Sequence, residues 1–473
     1  MRRNLKAFGL GAVIAGCSGF MVADSVVADQ PAFPGAVGYG QNATGWRGGE
    51  VFHITTLDDT GPGSLRECVE NDGSGRVCVF DISGTITVDT QMKVASNTYI
   101  SGQTAPGQGV QIKLGKVLDS PLMIFEAQDV LLRNLKFRPG PSYKPSSNVD
   151  GLSIESSSNI YVDRVSIQFA TDENLGVGTE NLPSEDITIA RSISALALDK
   201  STHTKGKHSK GALLCSDDGT ARQCGRVTLY QNLFAHNRDR NPDIQSSPSG
   251  QVDIINNVFY DATSQFGEFW NHYGDTWIAY VGNVVLPGPS TRNRPPPAAF
   301  EVFPYGADKG FSISVFEQDN LHLDSRIELL CDRSVKGKIA DDAAVEFLVA
   351  EPHQPLSVEP AEVSTTYETV LGTVGARHGD DQALDSLDAM VIENVRGCDG
   401  HRINDPGEVG GWPDLPIVHA AVDTDRDGMS DTWETGRTGL DPNDPSDVWA
   451  DRDGDGWSNL EEYLSHLAGD PMP

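Results

Sequence analysis

Long apolar runs are missing from this sequence of 473 residues: none reaches the roughly 18 residues that a membrane-spanning helix requires. Basic residues are scarce as well. Lys and Arg number 36 against 67 Asp and Glu, a formal net charge of -31. That balance excludes nucleic acid as a partner, because phosphate binding needs a basic footprint. Were the ligand a polyanion, the field of the whole protein would oppose it, and local cations would have to reverse the field at the site.

What the sequence does contain begins with an export signal. Arg2, Arg3 and Lys6 precede an apolar stretch from about Phe8 to Val22, which predicts a signal peptide over residues 1–28 and a secreted product. Val26-Val27-Ala28 suits cleavage by an ordinary signal peptidase, whereas Ile14-Ala15-Gly16-Cys17 suits lipid attachment at Cys17 and a cell-surface anchor. Six cysteines then remain, an even number for an oxidising compartment. Their spacing favours Cys68 with Cys78, Cys215 with Cys224, and by remainder Cys331 with Cys398.

Between about residues 96 and 290 short apolar runs recur: VLLRNLKF, IYVDRVSI, ITIARSI, VTLYQNLF, VDIINNVF and IAYVGNVV. They read as strands. Superposed, they shift by 30 from Asn134 to Arg164, by 27 to Arg191, by 25 from Asn232 to Asn257 and by 26 to Asn283. A repeat of that length is one coil of a solenoid, in which stacking buries the apolar face that a single coil leaves open. Asn232, Asn257 and Asn283 share a column and are expected to form a ladder of side-chain hydrogen bonds. A β-sandwich also has short, evenly spaced strands, but the steady period and the scarcity of two-residue hairpin signals count against it.

The step from Arg191 to Asn232 is 41, longer than one coil. The surplus is a loop carrying His203, Lys205, Lys207, His208 and Lys210, and a basic loop on a rigid acidic scaffold is where substrate contact is expected. From about 290 to 420 the pattern becomes irregular. Extended chain and short helices lying along the solenoid are expected there, without a separate domain.

Residues 423 to 434 read DTDRDGMSDTWE and residues 451 to 462 read DRDGDGWSNLEE, two EF-hand-like loops that start 28 residues apart. The first places Asp423, Asp425, Asp427, Asp431 and Glu434 at loop positions 1, 3, 5, 9 and 12, with the Met429 carbonyl at position 7. The second repeats this with Asp451, Asp453, Asp455, Asn459 and Glu462, and with the Trp457 carbonyl. Alternate oxygens on a tight loop suit Ca²⁺, a hard cation that takes 6–8 of them. A calcium module over 421–466 is expected, with GLDPNDPSD as a turn-rich spacer.

Several stretches then combine: AFPGAVGYG, GWRGGEVFHITTLDDTGPGSLREC, SGQTAPGQGVQI, VDGLSIESSSNIYVDRVSI, ATDENLGV, HNRDRNPDI and GGWPDL. As a set they resemble pectate lyases of polysaccharide lyase family 1, particularly a branch that ends in EF-hand-like calcium loops. The resemblance implies an all-β fold, a right-handed parallel β-helix over residues 29–415. It also implies a monomeric, Ca²⁺-dependent enzyme that cleaves an acidic polysaccharide, 1,4-linked polygalacturonate, by β-elimination.

In that family the base is an arginine of an Arg-x-Pro motif, which Arg240-Asn241-Pro242 matches. The primary calcium site matches at Asp150 and Asp172, with Glu173 beside the latter. A lysine for the uronate carboxylate is expected, and both Lys205 and Lys210 qualify. Asn148, Gly176 and Gln245 depart from the better-known pattern, so cleft Ca²⁺ could arrive with substrate. Rival readings are a lyase for another polyuronate or methylated pectin, a β-helical hydrolase, and a non-catalytic carbohydrate-binding solenoid.

Overall fold

The computed structural model describes residues 30–217, 223–291, 297–324, 335–379 and 381–471. The expected signal peptide with Cys17, and Cys331, lie outside the described residues. Three sheets, of eleven, eight and ten strands, run the length of the molecule. Each strand pairs in parallel with its equivalents one coil before and after, save one antiparallel pair, Leu321–Asp324 with Val335–Lys336. This is a parallel β-helix, as the coil period predicts.

Each apolar run read as one strand is two. The run from residue 130 ends the strand Gln128–Arg133, turns at Asn134 and enters the strand Lys136–Phe137 of another sheet. The turn residues Asn134, Arg164, Arg191, Gln231 and Asn256 all have φ between 48° and 55°. Such a left-handed residue bends the chain sharply at about 1–2 kcal/mol for a residue with a side chain, and stacking of the apolar strands offsets that cost. Val130, Leu132, Ile160, Val162, Ile187, Ile189, Val227 and Leu229 point inward to one continuous core, each contributing about 1.5–3 kcal/mol on burial.

The register fixes the long step at 40, since Ile187 pairs with Val227 and Ala190 with Tyr230. Arg191 is therefore equivalent to Gln231, and Ser192 to Asn232, whose Oδ1 accepts the Ser192 N–H at 2.9 Å. The asparagine ladder forms as expected. Asn232 Nδ2 donates to Asn257 Oδ1 at 3.0 Å, Asn257 to Asn283 at 3.1 Å, and Asn283 to Asn320 at 3.1 Å. Asn320 extends it because the solenoid continues through Phe300–Phe303, Ile313–Gln318 and Leu321–Asp324, in the region read as irregular.

Two helices, Val363–Thr373 and Ser386–Gly397, lie along the solenoid and close a second apolar cluster with Val258 and Leu286. Asp385 caps the second helix through the Leu387 and Asp388 N–H groups. It also takes the fully buried Arg138 guanidinium at 2.7 and 3.1 Å. Disulfides join Cys68 to Cys78 and Cys215 to Cys224, as the spacing suggests, and Cys398 is disulfide-bonded too.

The C-terminal segment packs against the eleven-stranded sheet. Met429, Trp433, Leu460 and Leu464 share one cluster with Trp46, Val79, Tyr99, Leu131 and Tyr161. That cover explains why a run such as VLLR is apolar on successive residues: its strand is buried on both faces. At the chain's end Asp470 pairs with Arg133 at 2.8 Å and with Arg164 at 2.8 Å, inside a buried group that also holds Asp163 and Arg191.

Candidate active site

One register row crosses the eight-stranded sheet through Lys93, Met123, Ser153, Gly176, Leu213, Asp243, Glu268 and Glu301. The first five floor an open cleft of about 800 Å³, whose walls include Asp119, Asp150, Asp172, Glu173, Lys205 and Arg240. Because a β-strand sends alternate side chains to one face, equivalent positions on successive coils line up at coil spacing. The charged side chains of the cleft, Asp119, Asp150, Asp172, Glu173, Lys205 and Arg240, are therefore spread across successive coils.

Asp150 precedes the strand Leu152–Glu155, and Glu173 opens the strand Glu173–Thr179 one coil later. Asp150 Oδ1 accepts the Glu173 N–H at 3.1 Å and its Oδ2 accepts from Ser153 at 2.7 Å. Oxygens of Asp150, Asp172 and Glu173 lie within 4.8 Å of one another. Burial, reinforced by Glu173 and Asp172, pushes the Asp150 carboxyl well up, and burial lifts Asp172 to about 6. The three clustered carboxylates form an all-oxygen set suited to a hard cation. A Cβ on Gly176 would stand 3.0 Å from Asp150 Oδ2, so a carboxylate at this departure from the family pattern would crowd the cluster.

Glu173 behaves differently. Burial raises it, but His208 and the Arg240 guanidinium outweigh that and hold it at about 2. Arg240 Nη1 donates to Glu173 Oε1, Arg240 Nε lies 3.4 Å from Asp243 Oδ2, and the Arg240 N–H donates to Glu268 Oε1 at 2.9 Å. Arg240 itself has φ 57° and precedes a cis Asn241–Pro242 bond, and its side chain lines the cleft. Burial alone would lower its pKa, yet Glu173, Asp243 and Glu268 raise it. Burial drives Asp243 up to about 7. It drives Glu268 to about 8, with Asp239 and Asp243 adding to the rise.

The basic loop delivers different groups than its charge suggests. His203 and His208 stack with centroids 3.7 Å apart beside Asp172, and His208 Nε2 lies 2.6 Å from Asp172 Oδ1. His203 Nδ1 accepts the Lys205 N–H at 3.1 Å, which puts the ring hydrogen on Nε2 and removes that nitrogen as a metal donor. Burial and the neighbouring His208 lower His203 to about 4. Lys205 is exposed on the cleft wall. Lys210 pairs in register with Glu173 and bonds Asp239. Asp119, Asp243 and Glu268 escaped the sequence reading. Asp243 lies in the HNRDRNPDI motif, and Glu268 could have been found one coil beyond it.

In the tail Asp423, Asp425 and Asp427 converge, as do Asp451, Asp453 and Asp455. Asp427, Glu434 and Asp447 form a further group. Asp431 stands apart, both its oxygens engaged by the Thr424 N–H and hydroxyl at 2.8 Å. Met429 and Trp457 are buried. In the second loop Glu462 accepts from Arg452 at 3.2 Å, and Asn459 donates to the Asp447 carbonyl at 2.7 Å.

Fold and site together define a parallel β-helix enzyme whose charged cleft runs across the coils. A family model described as pectate lyase matches residues 68–270. A probable pectate lyase C of Emericella nidulans is 30% identical over 439 residues, 92% of each chain. That of Aspergillus terreus is 31% identical over 416 residues, 87% of this chain and 88% of its own. Jun a 1, the major allergen from cedar pollen, superposes with a TM-score of 0.52 at 16% identity, over 72% of this chain and 92% of the other, a likeness of fold. The chain belongs to the pectate lyase family, and it is a polysaccharide lyase. No described helix is long and apolar enough to cross a membrane.

Proposed function

We propose that the protein is a secreted, Ca²⁺-dependent pectate lyase that cleaves 1,4-linked polygalacturonate by β-elimination. The observation that carries this reading is the position of Arg240 in an open cleft, beside a triplet of carboxylates on successive coils.

Asp150, Asp172 and Glu173 hold the cleft Ca²⁺. The ion, when bound, supplies positive charge that neutralises the uronate carboxylate next to the reacting carbon. A uronate carboxylate is bound by Lys205, on the cleft wall, or by Lys210, which is paired with Asp239. Arg240 takes the proton from C5, the C4–C5 double bond forms, and the glycosidic oxygen leaves C4, so no water is consumed. An arginine is a poor base while carboxylates hold its proton. Arg240 therefore acts only when the charges of Glu173, Asp243 and Glu268 are compensated.

The two tail loops bind Ca²⁺ structurally, forming with their short helices a module over 421–466 beside a lyase domain of 29–415. Asp427 Oδ2 and both Glu434 oxygens are buried without a hydrogen-bond partner, which is consistent with cation ligands. In the second loop Asp451, Asp453, Asp455 and Glu462 serve, with the Asn459 Oδ1, buried and unpartnered.

The test is incubation with polygalacturonate and Ca²⁺ at alkaline pH, read by the ultraviolet absorbance of unsaturated product. Methylated pectin is the comparison substrate. Product from methylated pectin alone, insensitive to chelator, would favour a pectin lyase. No product on any polyuronate would leave a carbohydrate-binding solenoid.

A further inference from the structure

The first tail loop is short of one expected ligand. Asp431, at loop position 9, accepts the Thr424 N–H and hydroxyl and falls in neither group of converging carboxylates, Asp423–Asp425–Asp427 or Asp427–Glu434–Asp447, among the described residues. Yet Glu434 is fully buried, with neither oxygen satisfied, and Asp427 is 2% exposed with Oδ2 unsatisfied. A buried carboxylate without a partner costs several kcal/mol and is not retained without compensation. Among the described residues no Lys, Arg or His pairs with either. Arg437, three residues after Glu434, stacks on the Trp433 ring and donates to the Trp433 carbonyl.

The group that faces them instead comes from the connector. Asp447 lies 13 residues beyond Glu434, outside both loop motifs, and its carboxylate falls within 4.8 Å of ligand atoms on Asp427 and Glu434. It is held there from both sides. Asp447 Oδ2 accepts the Asp441 N–H at 3.2 Å, and its carbonyl accepts from Asn459 Nδ2 at 2.7 Å and from the Ala450 N–H at 2.9 Å. Its Oδ1 is buried and unpartnered. Asp427 also belongs to the group with Asp423 and Asp425, so five carboxylates converge through it.

We propose that Asp447, in place of Asp431, completes the cation site of the first loop, so that one Ca²⁺ fastens loop 423–434 to the connector and to the second loop. This rests on the reading of the tail as calcium-binding and changes which residues do it. The donor set is all carboxylate, with no imidazole or thiolate, which suits a hard divalent cation over zinc or copper. Because Asn459 of the second loop grips the Asp447 carbonyl, ordering of one loop presents a ligand to the other.

The full chain, stripped with chelator, is titrated with Ca²⁺ by calorimetry and with Tb³⁺ by luminescence sensitised through Trp433. The variants are Asp447→Asn, Asp431→Asn and Asp427→Asn. Asparagine keeps an acceptor for the Asp441 N–H, and Asp447→Ser replaces it should the first variant not fold. Asp447→Asn and Asp427→Asn should each weaken one ion by about tenfold or more. Asp431→Asn should leave it within about threefold. The Ca²⁺-dependent rise in Tm should shrink in the same order. A neutral Asp447→Asn alongside a damaging Asp431→Asn overturns the assignment and leaves a calcium loop of the motif's own residues. If all three variants are neutral, the first loop holds no ion, and the calcium reading of that loop fails with it.

Discussion

The guanidinium of Arg240 donates through Nη1 to Oε1 of Glu173, 67 residues earlier in the chain. One carboxylate thus belongs both to the candidate cation cluster and to the partner that keeps the arginine protonated. On the proposed mechanism, cation binding and the basicity of residue 240 would be coupled through this single side chain. A guanidinium left beside uncompensated carboxylates stays charged and can only bind.

Replacing Arg240 by Ala should therefore remove elimination more than folding. Turnover on polygalacturonate is expected to fall by about 10²–10⁴-fold, the range for loss of a positioned base, with substrate affinity changed far less. Initial rates from ultraviolet absorbance, with direct binding of an oligogalacturonide, separate the two. Retention of most of the parent rate would remove Arg240 from the chemistry.

Glu173→Gln tests the coupling. The amide oxygen still accepts from Arg240, but one anionic oxygen donor leaves the cluster with Asp150 and Asp172. The Ca²⁺ concentration giving half-maximal rate should rise by about tenfold. An unchanged calcium requirement would show that the ion binds elsewhere in the cleft.

Much of this was legible in the sequence, for physical reasons. The coil period appears because each turn must repeat the inward residues, while Arg240-Asn241-Pro242 is picked out only by its likeness to the family's Arg-x-Pro motif. The bends at Arg164, Arg191 and Gln231 did not announce themselves. Left-handed φ usually marks Gly or Asn, and here stacking imposes it on other residues. Asp447 and the stacking of His203 on His208 are set by contacts between segments, which spacing along one chain does not encode. Asp431 fits the loop motif by number and is diverted by Thr424, a competition that only the folded loop reveals.

Acid should unfold the protein in a defined window. Burial would raise Asp163, but Arg191, Arg133 and Arg164 outweigh it and hold the carboxyl at about 2 against 3.8 ordinarily. A depressed value means that the folded state binds the proton more weakly, so the stabilisation is fully present above about pH 4 and is lost as pH falls toward 2. Asp385, held at about 2 chiefly by Arg138 against its burial, acts in the same direction at the helix Ser386–Gly397. Circular dichroism during acid titration should show a flat baseline above about pH 4 and a transition below it. A transition centred near neutrality would mean that these pairs do not govern acid stability.

The tail is predicted to matter for the solenoid through its last described turn. Asp470 is the counter-ion of Arg133, whose side chain has no exposure, and it also pairs with Arg164. With Asp470 in place, three guanidinium groups face two carboxylates; without it, Arg133, Arg164 and Arg191 face Asp163 alone. Breaking a buried pair by removing one partner costs about 3–5 kcal/mol, and Asp470→Ala should lower stability by that order in denaturant melts with Ca²⁺ present. Deleting residues 421 to 473 should cost more, because it also uncovers Tyr99, Leu131 and Tyr161. Neither change touches the cleft on the eight-stranded sheet, so whatever folded fraction survives should turn over at close to the parent rate. A truncated protein that melts like the parent yet has lost all turnover would place the tail in the chemistry and contradict its role as a cover for the sheet.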